Sequence, residues 1–425
     1  MHLRALRQRG LSRRSFLRQS LAAGLAPLVV PGRVLGLDGG VAPSNRVVMA
    51  GFGIGSRGTQ DLNSLIHEPE VQFVAIADVR EVRRQAVKAI IDQKNGDTGC
   101  RMYRDFREVL ARKDIDALLI ATGDRWHSLA SILAAKAGKD MYCEKPCSTN
   151  IADSVALAET MRRYGRVYQA GTQRRNVSNF MFAAELARSG KLGRLHTVHA
   201  NTLAPATKLE WLPAEPEPGR DEVDWDMWLG PCPWRPYNAL YVAGRWRGHF
   251  DFHGGGILEW GSHTVDLCQW AASADHTAPV LYEPNEDGCV ATYANGVKLV
   301  MRTTGWLGLG TCSVRYEGDE GWVETGDRGE FKVYPESLRG ERTGRAQAGT
   351  HPGTHLRQFL DCVKSRAQPA ANGDVACQSH IACHAAYVAW QLGRKLRYDP
   401  VKNEFPGDED ANRMRSRAKR EPWRV

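Results

Sequence analysis

The chain has 425 residues, of which 42% are hydrophobic and 25% charged, a balance typical of a globular protein with more than one domain. Its formal net charge of +9 would suit a nucleic-acid-binding protein, but seven arginines in residues 1–36, without any acid, supply most of it. Much of the remainder lies in residues 401–425, where we expect a basic, solvated tail. The sequence has no basic stripe interleaved with aromatic residues, so we expect no nucleic-acid partner.

The first 36 residues have the features of a signal peptide. A twin-arginine pair in residues 12–17 precedes a moderately apolar run at 21–30 and small residues suited to cleavage at 34–36. The run is too short to span a bilayer. We therefore expect residues 1–36 to direct twin-arginine export to the periplasm, with no membrane insertion after export.

Residues 46–58 join an apolar run to glycines in the spacing G-x-G-x-x-G, at Gly53, Gly55 and Gly58. The first glycine permits a tight turn, the second lets a pyrophosphate approach the backbone, and the third lets the next helix pack on the strand. The pattern alone is a weak signal in a chain with 42 glycines. Its position between a strand and a helix, followed by a second strand that ends at Asp78, predicts dinucleotide binding.

The acid at the end of that second strand is placed to accept hydrogen bonds from a ribose. It favours NAD, because a carboxylate repels the 2′-phosphate of NADP, whereas the neighbouring Arg80 could pair with such a phosphate and leaves NADP open.

Strands and helices alternate over residues 44–172, which predicts a doubly wound parallel sheet, the Rossmann fold. Residues 173–400 read as a second, α+β domain in which the pair Asn295-Gly296 marks a tight hairpin. The ten cysteines form no C-x-x-C pair, so we expect neither a disulfide scaffold nor a metal site.

Glu144-Lys145-Pro146 follows a short predicted strand, at the edge where open α/β sheets bind ligands. A lysine at that edge can take the hydroxyl proton of an alcohol as hydride leaves carbon. On the pattern alone, an ordinary surface lysine stays an open alternative.

Glu259, His263 and Asp266 share one stripe of a predicted helix, after a run of three glycines. Two carboxylates and an imidazole on one stripe can hold a sugar hydroxyl and relay its proton. They can equally bind a divalent metal or form a structural polar cluster, and the spacing does not choose among the three.

Several motifs follow one another in a characteristic order: the glycine turn, residues 77–79, Trp126-His127, residues 138–146, residues 171–175 and residues 254–266. Together they resemble the Gfo/Idh/MocA oxidoreductases over essentially all of residues 44–400, and most closely the twin-arginine-exported branch. The resemblance implies an N-terminal Rossmann domain and a C-terminal domain on a large, open, mainly antiparallel sheet. Because that sheet often forms a subunit interface in the family, we expect a homodimer or homotetramer.

By the same resemblance, Lys145, His263 and Glu259 are the catalytic residues, with Glu259 at a position where members usually have aspartate. The expected cofactor-binding residues are Gly53, Gly55, Ser56, Arg57, Gly58, Asp78, Arg80, Thr122, Trp126, His127, Glu144 and Lys145. The expected substrate-binding residues are Lys145, Gln173, Arg174, Glu259, His263 and Asp266.

The resulting hypothesis is an NAD-dependent oxidoreductase that acts on a hydroxyl of a carbohydrate: a sugar, a sugar derivative or a cyclitol. Because there is no obvious pool of soluble NAD outside the cytoplasm, we expect the cofactor to stay bound and to be recycled on the enzyme. Two alternatives stay open. One is a redox-neutral, NAD-dependent glycosidase that works through a transient keto-sugar and elimination, and the other is a non-catalytic sugar-binding protein.

Overall fold

A computed structural model describes residues 41–205, 207–303, 308–340 and 353–424. The chain divides into two units, Met1–Arg46 and Val47–Val425. In the described part of the first unit, Pro43–Asn45 forms a 3₁₀ turn. The predicted signal peptide at 1–36 lies outside the described residues. Within them, no helix combines the length and the apolar character needed to cross a membrane.

The second unit contains two sheets, and the first has six parallel strands in the order β3-β2-β1-β4-β5-β6. The strands are β1 (Val47–Phe52), β2 (Val71–Ala77), β3 (Arg101–Tyr103), β4 (Ala117–Ile120), β5 (Asp140–Cys143) and β6 (Tyr168–Ala170). The connecting helices are α1 (Ser56–Leu65), α2 (Glu81–Asn95), α3 (Phe106–Leu110), α4 (Asp124–Lys136) and α5 (Ile151–Tyr164). The predicted doubly wound parallel sheet is confirmed, and its strand order reverses between β1 and β4.

Strand β4 shows why this sheet is made of continuous apolar runs. Ala117 and Leu119 belong to the hydrophobic core on one face of the sheet, whereas Leu118 and Ile120 belong to the core on the other face. A strand buried on both faces has no polar side. The carboxyl ends of β1 and β4 therefore lie side by side on a rigid base, at the point where α/β sheets bind ligands.

The second sheet has eight strands in the order β13-β12-β11-β7-β10-β9-β8-β14. The strands are β7 (Leu195–Asn201), β8 (Leu281–Asn285), β9 (Gly288–Thr292), β10 (Lys298–Arg302), β11 (Val314–Gly318), β12 (Gly321–Thr325), β13 (Phe331–Tyr334) and β14 (Leu396–Arg397). All described neighbours are antiparallel except β7 and β10, which run parallel. The sheet is thus mixed but mostly antiparallel, as expected, and β9 and β10 form the predicted hairpin.

The remaining described helices are α6 (Ser178–Arg188), α7 (Trp225–Leu229), α8 (Gly256–Ala271), α9 (Gly353–Ser365), α10 (Gly373–Leu392) and α11 (Glu409–Arg413). Helices α6, α8 and α10 share one hydrophobic core with the second sheet, to which they contribute Phe180, Val265 and Ile381. Helix α9 instead places Phe359 and Leu360 in a core of the first sheet. The chain therefore returns to the first sheet after seven of the eight strands of the second, before it adds β14.

The C-terminal segment is not the solvated tail that its charge predicted. Trp423 is 4% exposed and lies edge-on against Trp126, with their ring centres 5.0 Å apart. Lys419 forms an ion pair with Asp153 on α5. A basic segment at the end of a chain is solvated when the folded protein offers it neither acidic partners nor an apolar pocket. Here Asp153 pairs with Lys419, and the ring of Trp126 packs on Trp423.

We expect Trp423→Ala to lower the free energy of unfolding by about 3 kcal/mol, because it empties a buried aromatic site. Trp234→Ala is the matched control, since Trp234 is 62% exposed and its loss should change stability by no more than about 0.5 kcal/mol. Urea unfolding of both variants measures the difference. Equal, small effects would show that the C-terminal segment contributes little to the fold.

Candidate functional site

A cavity of about 480 Å³ lies over the carboxyl ends of β1, β4 and β5, and residues of α8 line its other side. Most of the residues predicted from the sequence line it: Gly53, Gly55, Ser56, Arg57, Asp78, Arg80, Thr122, Trp126, His127, Glu144, Lys145, Gln173, Arg174, Glu259 and His263. Two predicted residues, Gly58 and Asp266, do not line it. Other lining residues are Arg83, Asp124, Arg125, Trp228, Trp246 and Arg247.

The glycine turn has the geometry that a dinucleotide requires. Gly53 has φ of +66°, and a Cβ there would lie 2.3 Å from Thr122 Cγ2. A Cβ on Gly58 would lie 2.7 Å from Ala121 Cβ, so this glycine lets α1 pack on the sheet. Gly55, the residue before α1, has no protein atom within 4 Å of such a Cβ and no side-chain cap. The free amides of α1 therefore face open space in which a diphosphate fits.

Asp78 lies at the end of β2, where its Oδ1 accepts a hydrogen bond from the backbone N–H of Arg80 at 2.9 Å. Burial raises the pKa of Asp78 to about 6. The guanidinium of Arg80 is directed to the carbonyl oxygen of Val242 at 3.4 Å. Asp78 thus remains available to ribose hydroxyls, which fits an NAD site.

Lys145 extends from the end of β5 to α8. Its Nζ donates to the carbonyl oxygen of Glu259 at 3.1 Å and lies 3.4 Å from Glu259 Oε1. Two residues that are 114 positions apart in the chain therefore meet in the cavity. The structure thus brings together two of the residues that the resemblance implies to be catalytic.

The second oxygen of Glu259 is held by His253, which the sequence reasoning missed. His253 Nε2 lies 3.3 Å from Glu259 Oε2, and the backbone N–H of Gly255 donates to His253 Nδ1 at 3.1 Å. Since Nδ1 accepts, the proton of a neutral His253 sits on Nε2 and points to the carboxylate. This hydrogen bond, together with the charge of Lys145, lowers the pKa of Glu259 to about 2 despite its partial burial. Glu259 is therefore ionised throughout the physiological range.

His263 is held by Arg174, whose Nη1 donates to His263 Nε2 at 2.9 Å while its Nε and Nη2 bind Asp327. Burial and the adjacent guanidinium lower the pKa of His263 well below its usual value. A neutral imidazole that accepts at Nε2 carries its proton on Nδ1, and that atom is buried with no partner among the described residues. His263 thus offers a hydrogen-bond donor rather than a base.

Glu144 forms the base of the site beneath Lys145. Its Oε1 accepts from Gln173 Nε2 at 2.8 Å and from Arg57 Nε at 3.2 Å, and its Oε2 accepts from the backbone N–H of Lys145. Asp61, which the sequence reasoning missed, forms an ion pair with Arg57 at 2.9 Å. Burial and the nearby Glu144 carboxylate raise the pKa of Asp61 well above its ordinary range.

Asp266, predicted to contact substrate, lies behind the cavity instead. Its Oδ2 accepts from Arg175 Nε at 2.6 Å, and its Oδ1 accepts from Ser379 Oγ at 2.7 Å. Asp266 therefore supports α8 and has no free oxygen to offer a substrate or a metal. No group of three potential metal ligands occurs among the described residues.

Trp126 and His127 line the cavity, but each has a ring nitrogen that is hydrogen-bonded to a backbone carbonyl oxygen of the protein. Trp126 Nε1 donates to the carbonyl oxygen of Met227 at 3.1 Å, which ties α4 to α7. His127 Nδ1 lies 2.7 Å from the carbonyl oxygen of Pro146, the residue after Lys145. These contacts fix the wall of the cavity and the direction in which Lys145 leaves the sheet.

Comparison with known families gives two matches. The model described as "Oxidoreductase family, NAD-binding Rossmann fold" matches residues 45–172. The model described as "Oxidoreductase family, C-terminal alpha/beta domain" matches residues 206–425.

Curated relatives cover parts of the chain. Myo-inositol 2-dehydrogenase of Thermotoga maritima is 30% identical over 155 residues, which are 36% of this chain and 45% of that protein. Inositol 2-dehydrogenase of Salmonella typhimurium is 23% identical over 261 residues, 60% of this chain and 64% of that protein. Alpha-N-acetylgalactosaminidase of Shewanella oneidensis is 32% identical over 147 residues, 33% of this chain and 31% of that protein. The chain thus spans 31% to 64% of the length of these relatives.

Two solved structures share the fold at greater coverage. The aldose–aldose oxidoreductase of Caulobacter crescentus, complexed with glycerol, superposes with a TM-score of 0.60 at 20% identity, over 83% of this chain and 99% of that one. The WlbA dehydrogenase of Bordetella pertussis, in complex with NADH and UDP-GlcNAcA, gives the same TM-score of 0.60, identity and coverage. Since the second family model alone matches more than half of the residues, the chain belongs to the Gfo/Idh/MocA oxidoreductase family, with an NAD-binding Rossmann domain at its N-terminal side.

Proposed function

We propose that the protein is an NAD-dependent oxidoreductase that interconverts a hydroxyl and a carbonyl group of a sugar, a sugar derivative or a cyclitol. The position of Lys145 carries the proposal, because its amine lies in the same cavity as the glycine turn and is oriented by Glu259. The inositol dehydrogenases among the relatives support the substrate class.

Oxidation of a CH–OH group releases one hydride and one proton. NAD, when bound in the cavity, supplies the hydride acceptor. Lys145 provides the place for the proton: its neutral amine accepts the hydroxyl proton at Nζ, and its charged form returns the proton in the reverse direction. The carbonyl oxygen and the carboxylate of Glu259 fix the direction of that amine.

His263 has a different task. Its Nε2 is occupied by Arg174, and its Nδ1–H is the remaining polar group of the ring. We assign this N–H to a hydrogen bond with an oxygen of the substrate. Because a buried donor without a partner is unfavourable, such a contact favours a bound sugar over an empty cavity.

We include export, cofactor retention and self-association in the proposal. The twin-arginine pattern in residues 1–36 supports export to the periplasm, where a cofactor that stays bound would be needed. The family resemblance supports association, because the large sheet of the C-terminal domain often forms a subunit interface; in this chain that sheet carries Arg315, which contacts both Glu317 and the ring of Trp322. Cell fractionation tests export, and native mass spectrometry tests both the bound cofactor and self-association.

A redox-neutral glycosidase is the second candidate, and the match to an alpha-N-acetylgalactosaminidase favours it. Such an enzyme would cleave a chromogenic N-acetylgalactosaminide without added NAD and without net accumulation of NADH. The oxidoreductase would instead oxidise an inositol or an aldose, with NADH formed in equal amount or a second sugar reduced. Product analysis on the purified protein separates the two activities.

We expect Lys145→Ala to lower the rate of hydride transfer by about 10²- to 10⁴-fold, because the hydroxyl proton then has no acceptor. NAD affinity should change little. Lys136→Ala is the matched control, since Lys136 is exposed at the end of α4. Single-turnover absorbance at 340 nm and calorimetric titration with NAD measure the two effects. Normal turnover by Lys145→Ala would refute the assigned role.

We expect Gly55→Ala to fold normally but to bind NAD at least about tenfold more weakly, because the added Cβ enters the space that the diphosphate needs. Gly53→Ala should destabilise the protein itself, since its φ is +66° and the Cβ would collide with Thr122. Thermal unfolding without nucleotide separates the variants. Unchanged NAD affinity in Gly55→Ala would place the cofactor elsewhere.

Asp78 predicts how NAD affinity depends on pH. The pKa of Asp78 in the folded protein is about 6, above the ordinary 3.8. Its ionisation therefore lowers the free energy of unfolding of the nucleotide-free protein as the pH rises between these values. Nucleotide binding should behave oppositely, because ribose hydroxyls donate to the ionised carboxylate. We expect NAD affinity to fall by up to about tenfold per pH unit below 6, and Asp78→Asn to flatten this profile. A wild-type profile without this fall would argue against Asp78 as the ribose ligand.

A further inference from the structure

Arg125 is a buried guanidinium without a carboxylate partner among the described residues. The residue is 6% exposed, and its Nε donates to the carbonyl oxygen of Trp228 at 2.8 Å. Its Nη1 is buried and has no hydrogen-bond partner in the described part of the chain. The guanidinium carbon lies 3.6 Å from the centre of the Trp228 ring, so aromatic faces rather than an acid hold the charge.

The guanidinium lies across the N-terminus of α4. Gly123 is the residue before this helix and provides no side-chain cap. A Cβ on Gly123 would lie 2.5 Å from Arg125 Nη1, so the unpartnered nitrogen passes directly over the start of the helix. Both residues line the cavity. The positive end of a thirteen-residue helix and a fixed positive side chain therefore converge on one point.

The cavity already has a separate place for the diphosphate of NAD, at the uncapped N-terminus of α1 beside Gly55. The nearest acid to Arg125 in sequence, Asp124, forms no ion pair with it among the described residues; its Oδ2 lies 3.6 Å from His253 Nε2, and its charge acts on Arg125 from a longer distance. Burial lowers the pKa of Arg125 to about 10, which leaves the side chain charged at neutral pH. A bound anion would give this guanidinium the direct hydrogen-bond partner that it lacks, and such a partner is favourable for a desolvated cation.

We propose that Arg125 and the N-terminus of α4 form a second anion-binding site, which holds the carboxylate of an acidic sugar such as a uronic or aldonic acid. This inference rests on the proposed function, since it names the substrate class of the same cavity. A carboxylate accepts two N–H groups from a guanidinium and further backbone amides from a helix end. The phosphates of the cofactor are the competing source of negative charge, and the experiment separates them from the sugar.

The test is a binding titration of the protein saturated with NAD, followed by calorimetry and by tryptophan fluorescence. D-Glucuronate and D-galacturonate are compared with D-glucose and D-galactose. Wild-type protein should bind a uronate at least about tenfold more tightly than its neutral parent. Arg125→Gln should abolish this preference, and Arg125→Lys should keep part of it because it keeps the charge. Arg245→Gln is the control, since Arg245 is exposed in the same region and does not line the cavity.

A parallel titration of the same variants with NAD decides the source of the anion. The proposal requires that Arg125→Gln keeps wild-type NAD affinity. If NAD affinity falls while uronate binding does not, the guanidinium serves the cofactor and the proposal is overturned. Equal binding of uronates and neutral sugars by wild type overturns it as well. Should Arg125→Gln fail to fold, the uronate preference of wild type, compared with that of Arg125→Lys, decides between these outcomes.

Because these titrations need no turnover, they also distinguish this inference from the function it rests on. Uronate binding without any oxidation would remove the oxidoreductase assignment and keep the anion site. Oxidation of sugars without any preference for uronates would keep the oxidoreductase assignment and remove the anion site.

Discussion

Lys145 crosses from the end of β5 to the backbone and carboxylate of Glu259 on α8, and the cavity depends on this contact. Lys145 follows a strand of the parallel sheet, whereas Glu259 lies on a helix that packs on the mixed sheet. Because each sheet is rigid, the contact holds the amine at a defined point above the glycine turn. Chemistry at a hydroxyl group needs this kind of placement, since a misplacement of about 1 Å can lower a rate about a hundredfold.

The neighbours of this contact determine which side chains near it are ionised and which are neutral, and side chains of the same type therefore differ in role. His253 and Lys145 donate to opposite oxygens of Glu259 and keep it ionised, so it orients the amine and takes up no proton itself. His263 is kept neutral by burial and by Arg174. In the proposed reaction, proton transfer is thereby left to Lys145, whereas the imidazole keeps one N–H for a ligand oxygen. The two histidines differ in role because different neighbours occupy their nitrogens.

The sequence predicted the parts of the site that are local. Gly53, Gly55 and Asp78 could be assigned because a turn, a helix end and the next strand determine their positions within a short stretch. Asp266 could not, although it shares a stripe with Glu259. At about 1.5 Å per residue, seven residues carry it about 10 Å along α8, where Arg175 binds it. Arg125 could not be recognised either, since its lack of a partner depends on Trp228, 103 residues away.

The basic C-terminal segment shows that the formal charge of a sequence does not tell which charged side chains stay free in the folded protein. Trp423 packs on Trp126 in the wall of the cavity, and Arg417 Nη1 donates to the carbonyl oxygen of His253 at 2.8 Å. Lys419 and Arg420 form ion pairs with acids of α5 and α7. Charges that look free for an acidic partner are thus used within the protein. Trp423 contacts α4, which carries Arg125, and Arg417 contacts the loop that carries His253, so the segment joins two walls of the cavity.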